Sequence, residues 1–171
     1  MNKINENIIT LYSKWKEGYT RKENSFKLRV QSFLSNRKDD ADIFYISADG
    51  KHLDASSDVY IFHEDILDGK FIVPFGEVDG FFNCGSCDSL TSLEGAPKEV
   101  GIFICTLCES LTSLEGAPKK VEGSFNCYKC PSLASIEDLP KEIGGDLHID
   151  LRFKGKIPDD VTIKGKIKLY V

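Results

Sequence analysis

The sequence predicts an α+β protein, in which a repeat solenoid with a short parallel β-sheet follows a mixed helical and β segment. Three observations favour this class. A unit of 21 or 22 residues recurs in the middle of the chain, its connecting segments are rich in Ser, Gly and Pro, and the first 68 residues do not contain it. We therefore predict an N-terminal cap over residues 1–68 and a solenoid of about five coils over residues 69–171, with the last two coils modified.

The repeating unit is most visible as three C-x-x-C pairs, which are offset by 21 and then 22 residues. The same offsets relate phenylalanine, leucine, proline and valine positions around each pair. Each unit is predicted to contribute one strand to a parallel sheet, over residues 82–84, 103–105 and 125–127. The connecting segments, "SLTSLEGAP" twice and "SLASIEDLP" once, are predicted to return as turns or short 3-10 segments.

The repeat also carries a family resemblance. Written from Val100, the unit V-x-x-F-x-C-x-x-C-x-x-L resembles the leucine-rich-repeat segment LxxLxLxxCxxL. The segments "SLTSLEGAPKEVG" and "SLTSLEGAPKKVEGSFNC" look like the leucine-rich repeats of bacterial and tailed-phage proteins built from SLxGAPKxVGGxFxC units. The resemblance covers residues 69–171 and implies a leucine-rich-repeat solenoid that binds another macromolecule and has no catalytic residues. It further implies a phage accessory protein that binds and inhibits a host factor, such as an immune effector, in the host cytoplasm.

The first 68 residues are predicted to form a helical and β cap over the first coil. A second, weaker helix is predicted over residues 26–34 and follows a first helix. Strands are predicted within residues 41–47, 58–62 and 69–73, with turns at the Asp-Gly pairs that begin at positions 49 and 68. The first helix is predicted from an apolar stripe at helical spacing: Ile4, Ile8, Leu11 and Trp15.

Composition narrows the class of partner. The 171 residues are 41% hydrophobic, with a formal charge of −5 and a pI near 5.3, which argues against general binding to nucleic acid or to anionic membranes. The first residues lack the pattern of a secretory leader, so we expect none, and the sequence contains no apolar run of membrane-spanning length. We therefore expect a cytoplasmic protein, whose cysteines are thiols or metal ligands and do not form disulfides.

The outward side chains of the predicted strands form the candidate partner-binding face, because side chains alternate between the two faces of a strand. This face runs from aromatic and aliphatic through polar to charged residues, which favours an interaction surface and a protein partner. Its predicted members are Phe81, Asn83, Ile102, Ile104, Asn126, Tyr128, Asp146, His148, Asp150, Lys166 and Lys168.

Two chemical alternatives stay open beside protein binding. The stretch "DLHID" places Asp146, His148 and Asp150 on one strand face, where they could bind a small molecule or a metal, or serve an enzyme. We favour a non-enzymatic protein without a cofactor, because no known nucleotide-binding or catalytic motif is present. The second alternative is zinc held by stacked pairs, although buried thiols of a repeat explain the same spacing. Its candidate ligands are Cys84, Cys87, Cys105, Cys108, Cys127 and Cys130.

The segment "KGKIKLYV" predicts a last strand with an open parallel edge. Its alternating lysines are a common protection against pairing with another edge. We therefore favour a monomer over a homodimer formed through this edge strand.

Overall fold

The computed structural model describes residues 21–37 and 41–171, without the side chains of residues 21–24. The apolar stripe predicted as a first helix, Ile4 to Trp15, lies outside the described residues. Among the described residues, no helix has both the length and the apolar character needed to cross a bilayer.

The described chain is a β-solenoid of about five turns, with one α-helix, three 3-10 turns and a predominance of strands. The helix α1 spans Arg21–Ser35, and the 3-10 turns span Ala41–Ile43, His63–Asp65 and Leu151–Phe153. The strands are β1 Phe44–Ile46, β2 Leu53–Ala55, β3 Val59–Tyr60, β4 Ile66–Leu67, β5 Lys70–Phe71, β6 Phe75–Asn83, β7 Glu99–Ile104, β8 Lys120–Val121, β9 Phe125–Asn126, β10 Glu142–Ile143, β11 Leu147–Asp150, β12 Thr162–Ile163 and β13 Ile167–Tyr170.

The coils stack as two columns of parallel strands. The first column contains β2, the start of β6, the start of β7, β8, β10 and β12. The second contains β3, the end of β6, the end of β7, β9, β11 and β13. β6 and β7 run through both columns, with an irregularity in their register between the Val78 and Phe81 positions. The two columns therefore belong to one sheet, joined through β6 and β7.

Inward side chains of equivalent coils stack on one another. The rings of Phe82 and Phe103 lie 5.6 Å apart, and those of Phe103 and Phe125 lie 5.4 Å apart, with 8° between the planes in both pairs. All three rings are fully buried. The parallel strands predicted at these positions are confirmed. The phenylalanines, which recur at offsets of 21 and 22 residues, occupy equivalent sites in successive coils.

The connecting segments return as turns, as predicted. Ser113 Oγ accepts a hydrogen bond from the backbone N–H of Glu115, and Ser135 and Glu137 repeat this contact in the next coil. Gly116 follows with a φ of 87°. A Cβ there would lie 2.6 Å from the Leu93 carbonyl oxygen of the preceding coil, so the close approach of two coils requires glycine at this position.

The region upstream of residue 69 contains the predicted second helix, the strands β1 and β3 within the predicted segments, and the strands β2 and β4, which were not predicted. Phe33 of α1 is buried and packs edge-on against Phe44 at 5.3 Å and against Phe75 at 5.4 Å. β4 and β5 form an antiparallel hairpin whose two turn residues, Asp68 and Gly69, have φ angles of 51° and 78°. Positive φ at both positions is the geometry that Asp-Gly favours in a two-residue hairpin loop.

A buried ion pair joins α1 to the first coils. The Arg37 guanidinium binds the Asp65 carboxylate through two hydrogen bonds, one of them 2.9 Å long, and also donates to the Tyr60 carbonyl oxygen at 2.8 Å. Asp65 Oδ2 in turn accepts the backbone N–H of Phe62 at 2.8 Å. Both charged side chains are almost completely buried, so this network fixes the position of the helix end on the coils.

The parallel ladder crosses the boundary that the sequence places at residue 69. β2 and β3 pair in parallel with β6, so residues 53–60 already follow the path of a coil. The division into a cap and a solenoid stays a prediction, since residues 1–20 and 38–40 are outside the described chain.

Candidate protein-binding face

The outward side chains of the second strand column form a continuous surface, which we call the outer face. Its central row follows the register from Tyr60 through Asn83, Ile104, Asn126 and His148 to Lys168. Ten of the eleven residues predicted for the partner-binding face lie in or directly before the second-column strands, and Tyr128 follows two residues after β9; all eleven are at partly or fully exposed positions. The members of the outer face are Tyr60, Phe62, Phe81, Asn83, Ile102, Ile104, Asn126, Tyr128, Asp146, His148, Asp150, Lys166, Lys168 and Tyr170.

An apolar patch occupies the upstream half of the outer face and consists of Tyr60, Phe81, Ile102 and Ile104. The Tyr60 and Phe81 rings meet edge to face at 4.9 Å, and Phe81 is in register with Ile102 on the next strand. Tyr60 is 51% exposed and Ile102 38% exposed. Exposed aromatic and β-branched side chains that adjoin one another are typical of contact surfaces.

Leu107 adds an exposed apolar side chain at the corner that follows Ile104. It is 49% exposed and has a φ of 60°, the left-handed region that is unfavourable for a leucine. Ser86 and Lys129 occupy the same corner of the neighbouring coils, with φ angles of 60° and 57°. The coil geometry thus imposes the backbone conformation, and an apolar side chain at this corner adds nothing to the core.

The downstream half of the outer face carries an aromatic cluster of Tyr128, His148 and Tyr170. The two tyrosine rings stack with centroids 4.1 Å apart and planes 16° apart. His148 Nδ1 lies 2.8 Å from the Tyr170 hydroxyl oxygen, within hydrogen-bond distance. Partial burial and the nearby Lys168 ammonium lower the pKa of His148, against the opposing effect of Asp146.

The three groups of "DLHID" are each engaged by a different partner. Asp146 forms an ion pair with Lys168 at 2.8 Å, and the hydrogen bond from Lys168 lowers the pKa of the Asp146 carboxyl. Asp150 Oδ1 accepts the backbone N–H of Lys129 at 2.7 Å. Together with the contact of His148 to Tyr170, these bonds serve to hold neighbouring coils together.

An open groove of about 640 Å³ lies at the end of these strands. Of the three "DLHID" groups only Asp150 lines it, so the groove does not bring the imidazole and both carboxylates around one ligand. The lining residues are Lys129, Pro131, Asp150, Leu151, Arg152, Tyr170 and Val171.

The six cysteines lie inside the coils as free, buried thiols. The second thiol of a pair donates to the coil before it: Cys108 Sγ to the Cys84 carbonyl at 3.2 Å, and Cys130 Sγ to the Cys105 carbonyl at 3.0 Å. Burial raises the pKa of Cys87 to about 11, and it raises the pKa values of Cys84, Cys105 and Cys127 well above their usual value. These four thiols therefore stay protonated in the core.

Within residues 21–37 and 41–171, no group of three or more His, Cys, Asp or Glu side chains is arranged to hold a metal ion.

The sequence prediction of the face missed Tyr60, Phe62 and Tyr170, and it also missed the exposed Leu107 at the adjoining corner. Tyr60 had a signal in the sequence, because Val59 and Ile61 alternate around it as Phe82 and Cys84 do around Asn83, at an offset of 23 residues. Tyr170 lies two positions beyond Lys168, so the same alternation along β13 places it on the face.

Comparison with known proteins gives no further guide. The chain matches no protein-family model, no curated protein and no solved structure. Any function must therefore be argued from the residues of the outer face themselves.

Proposed function

We propose that this protein is a non-enzymatic protein-binding module that recognises its partner through the outer face. The observation that carries the proposal is the continuity of exposed aromatic and aliphatic side chains across neighbouring coils, from Tyr60 through Phe81 to Ile102 and Ile104. Aromatic and aliphatic groups held rigidly on a sheet lose little conformational entropy on binding, so they make effective anchors for a partner.

The pattern of variation within the chain supports the same function. Inward positions repeat, as the stacked rings of Phe82, Phe103 and Phe125 show. The central outward row changes at almost every coil, from an aromatic residue through amides and an aliphatic residue to an imidazole and an ammonium. A solenoid whose core is constant and whose sheet face varies has the architecture of a repeat protein used for recognition.

The narrower form of the proposal concerns the partner. The resemblance of the repeat unit to those of tailed-phage proteins supports a host factor, such as an immune effector, as the protein that is bound and inhibited. This part of the proposal depends on the resemblance alone, and the outer face supports only protein binding.

Affinity capture from host lysate tests the proposal. Three baits are compared by mass spectrometry: the wild type, Ile102→Ser/Ile104→Ser in the apolar patch, and Tyr128→Ala/His148→Gln in the aromatic cluster. We expect a partner that the wild type retains and at least one face variant loses. A Glu115→Gln bait, altered on an exposed return segment, is the matched control and should retain the partner. Recovery of the same proteins by all four baits would contradict the proposal.

A further inference from the structure

A rim of carboxylates borders the apolar patch and is defined by Asp54, Asp58, Glu77 and Asp79. Glu77, Asp79 and Phe81 occupy alternate positions of β6, so the rim and the patch are carried by one strand. Asp54 Oδ1 accepts the backbone N–H of Glu77 at 2.9 Å, and Asp58 Oδ1 accepts that of Phe81 at 3.0 Å. These bonds hold the Asp54 carboxylate beside Glu77 and the Asp58 carboxylate beside the patch residue Phe81.

The acidic rim has no ion-paired cation in the part of the chain that the structure describes. Among residues 21–37 and 41–171, no lysine or arginine forms an ion pair with any of the four carboxylates. Residues 41–100 contain twelve acidic residues and only three lysines, so the segment that carries the rim is itself negatively charged. Downstream, by contrast, Asp146 pairs with Lys168 and Asp160 with Lys141.

Tyr45 extends the aromatic surface into the rim. It lies opposite Asp54 in the pairing of β1 with β2 and is 50% exposed. Desolvation and the carboxylates of Asp54, Asp79 and Glu77 raise the pKa of Tyr45, as expected for a phenol within a negative field.

We propose that the apolar patch and the acidic rim together bind a cationic segment of the partner protein, in which Arg or Lys side chains adjoin apolar ones. This inference rests on the proposed function and adds the chemistry of the partner. The apolar side chains pack on Ile102 and Ile104, the cations pair with the rim carboxylates, and the faces of the exposed tyrosines attract guanidinium groups. Charge complementarity selects this occupant, because an acidic segment would be repelled by the rim.

A selection from a displayed library of random peptides tests this inference on the purified full chain. We expect the enriched peptides to carry net positive charge together with apolar residues. The most enriched peptide is then synthesised and titrated calorimetrically against the wild type and two charge-reversal variants. Glu77→Lys/Asp79→Lys should weaken its binding by about tenfold or more at low salt, and added salt should weaken wild-type binding. Glu115→Lys/Glu137→Lys changes the charge equally on the return segments, and binding should stay within about twofold of wild type.

The outcomes separate this inference from the proposed function. If neutral or acidic peptides are enriched and their binding depends on Tyr60 and Ile102, the cationic partner is overturned. The proposed protein-binding function of the outer face would stand. Equal loss of binding in both charge-reversal variants would overturn the cationic partner as well, because the attraction would then be non-specific. If the wild type self-associates and Ile102→Ser/Ile104→Ser does not, the cationic partner is overturned, because the patch then binds a second copy of this chain. If neither peptides nor lysate proteins bind in a face-dependent way, both proposals fail. Circular dichroism of each variant confirms that it is folded.

Discussion

Compared with the downstream coils around β11 and β13, the upstream coils around β6 and β7 place a different surface on the same backbone path. Upstream, the outer face is apolar and its bordering carboxylates lack cationic partners among the described residues. Downstream, the aromatic rings stack on one another, and both Asp146 and His148 are engaged. The upstream surface therefore presents apolar side chains and unpaired carboxylates, whereas the downstream side chains largely bind one another.

This difference teaches that the repeat separates the residues that stabilise the core from those that set the chemistry of the surface. Inward positions are restricted by stacking between coils, as the buried Phe82 and Phe103 rings illustrate. Outward positions contact only their neighbours in adjacent coils, so each coil can carry a different chemical group without disturbing the core. The following predictions test how independent the two halves are, from the largest expected effect to the smallest.

The largest effect is expected at the buried ion pair that holds α1. Asp65→Asn removes the charge opposite Arg37 and leaves a buried guanidinium unpaired, so we expect a loss of about 3–5 kcal/mol in the free energy of unfolding. Urea unfolding measures the loss. Hydrogen exchange should show increased opening of α1 and β3, with little change at β11 and β13. Opening of all coils to the same extent would show that the two halves are not independent.

A smaller loss of stability is expected from the buried cysteines, which stack in the core beneath both halves of the outer face. Cys108→Ala removes the donor to the Cys84 carbonyl, and Cys130→Ala the donor to the Cys105 carbonyl. Each should lower the free energy of unfolding by about 1–3 kcal/mol, because a buried acceptor loses its partner and a small cavity forms. The exposed Glu109→Ala is the control and should stay within about 0.5 kcal/mol of wild type. Clearly unequal losses at the two cysteines would contradict a common core.

Asn126, which lies between the two halves of the outer face, provides a variant expected to gain stability. Its Oδ1 is buried and has no hydrogen-bond partner within the described chain. Asn126→Val removes this group and adds a β-branched residue beside Ile104, so we expect a gain of about 0.5–1 kcal/mol. Asn83→Val is the matched control in the same row, and it should be destabilising because Asn83 Oδ1 accepts the backbone N–H of Gly85. Thermal unfolding of both variants compares them, and a gain at both positions would show that β propensity alone decides.

The smallest effect is expected on the pH dependence of stability, through the protonation of His148 in the downstream half. Because the folded-state pKa of His148 is lowered, the folded protein binds this proton less readily than the unfolded chain does. Its contribution to stability is therefore complete above the unfolded value of about 6.5 and is lost as pH falls through the folded value. NMR titration of His148 measures this pKa, and thermal unfolding between about pH 8 and pH 5 measures the consequence. Lys168→Gln should shift the titration to higher pH, because a repelling charge is removed and Asp146 is released. An unchanged titration would contradict this account.

The sequence predicted the solenoid well because its signal is periodic. The C-x-x-C pairs and the phenylalanines recur at offsets of 21 and 22 residues, and such a regular repeat predicts that equivalent residues stack in successive coils. The eleven predicted outward residues followed from alternation along the strands. The upstream coils were harder to recognise, since Val59 and Ile61 keep only the alternation and lack the Cys and Pro positions of the unit. The Arg37 to Asp65 pair joins residues 28 positions apart through tertiary packing, and no local pattern announces it.

The parallel register of the coils determines how the distance between the apolar patch and the aromatic cluster can change. Inserting or deleting one whole unit preserves the parallel register between neighbouring coils. It moves the apolar patch relative to the aromatic cluster by one strand spacing, about 4.8 Å. The separation between the two halves is thus adjustable only in discrete steps. Duplicating a coil between β7 and β9 would act as a molecular ruler, and a partner that spans both halves would distinguish one length from the next.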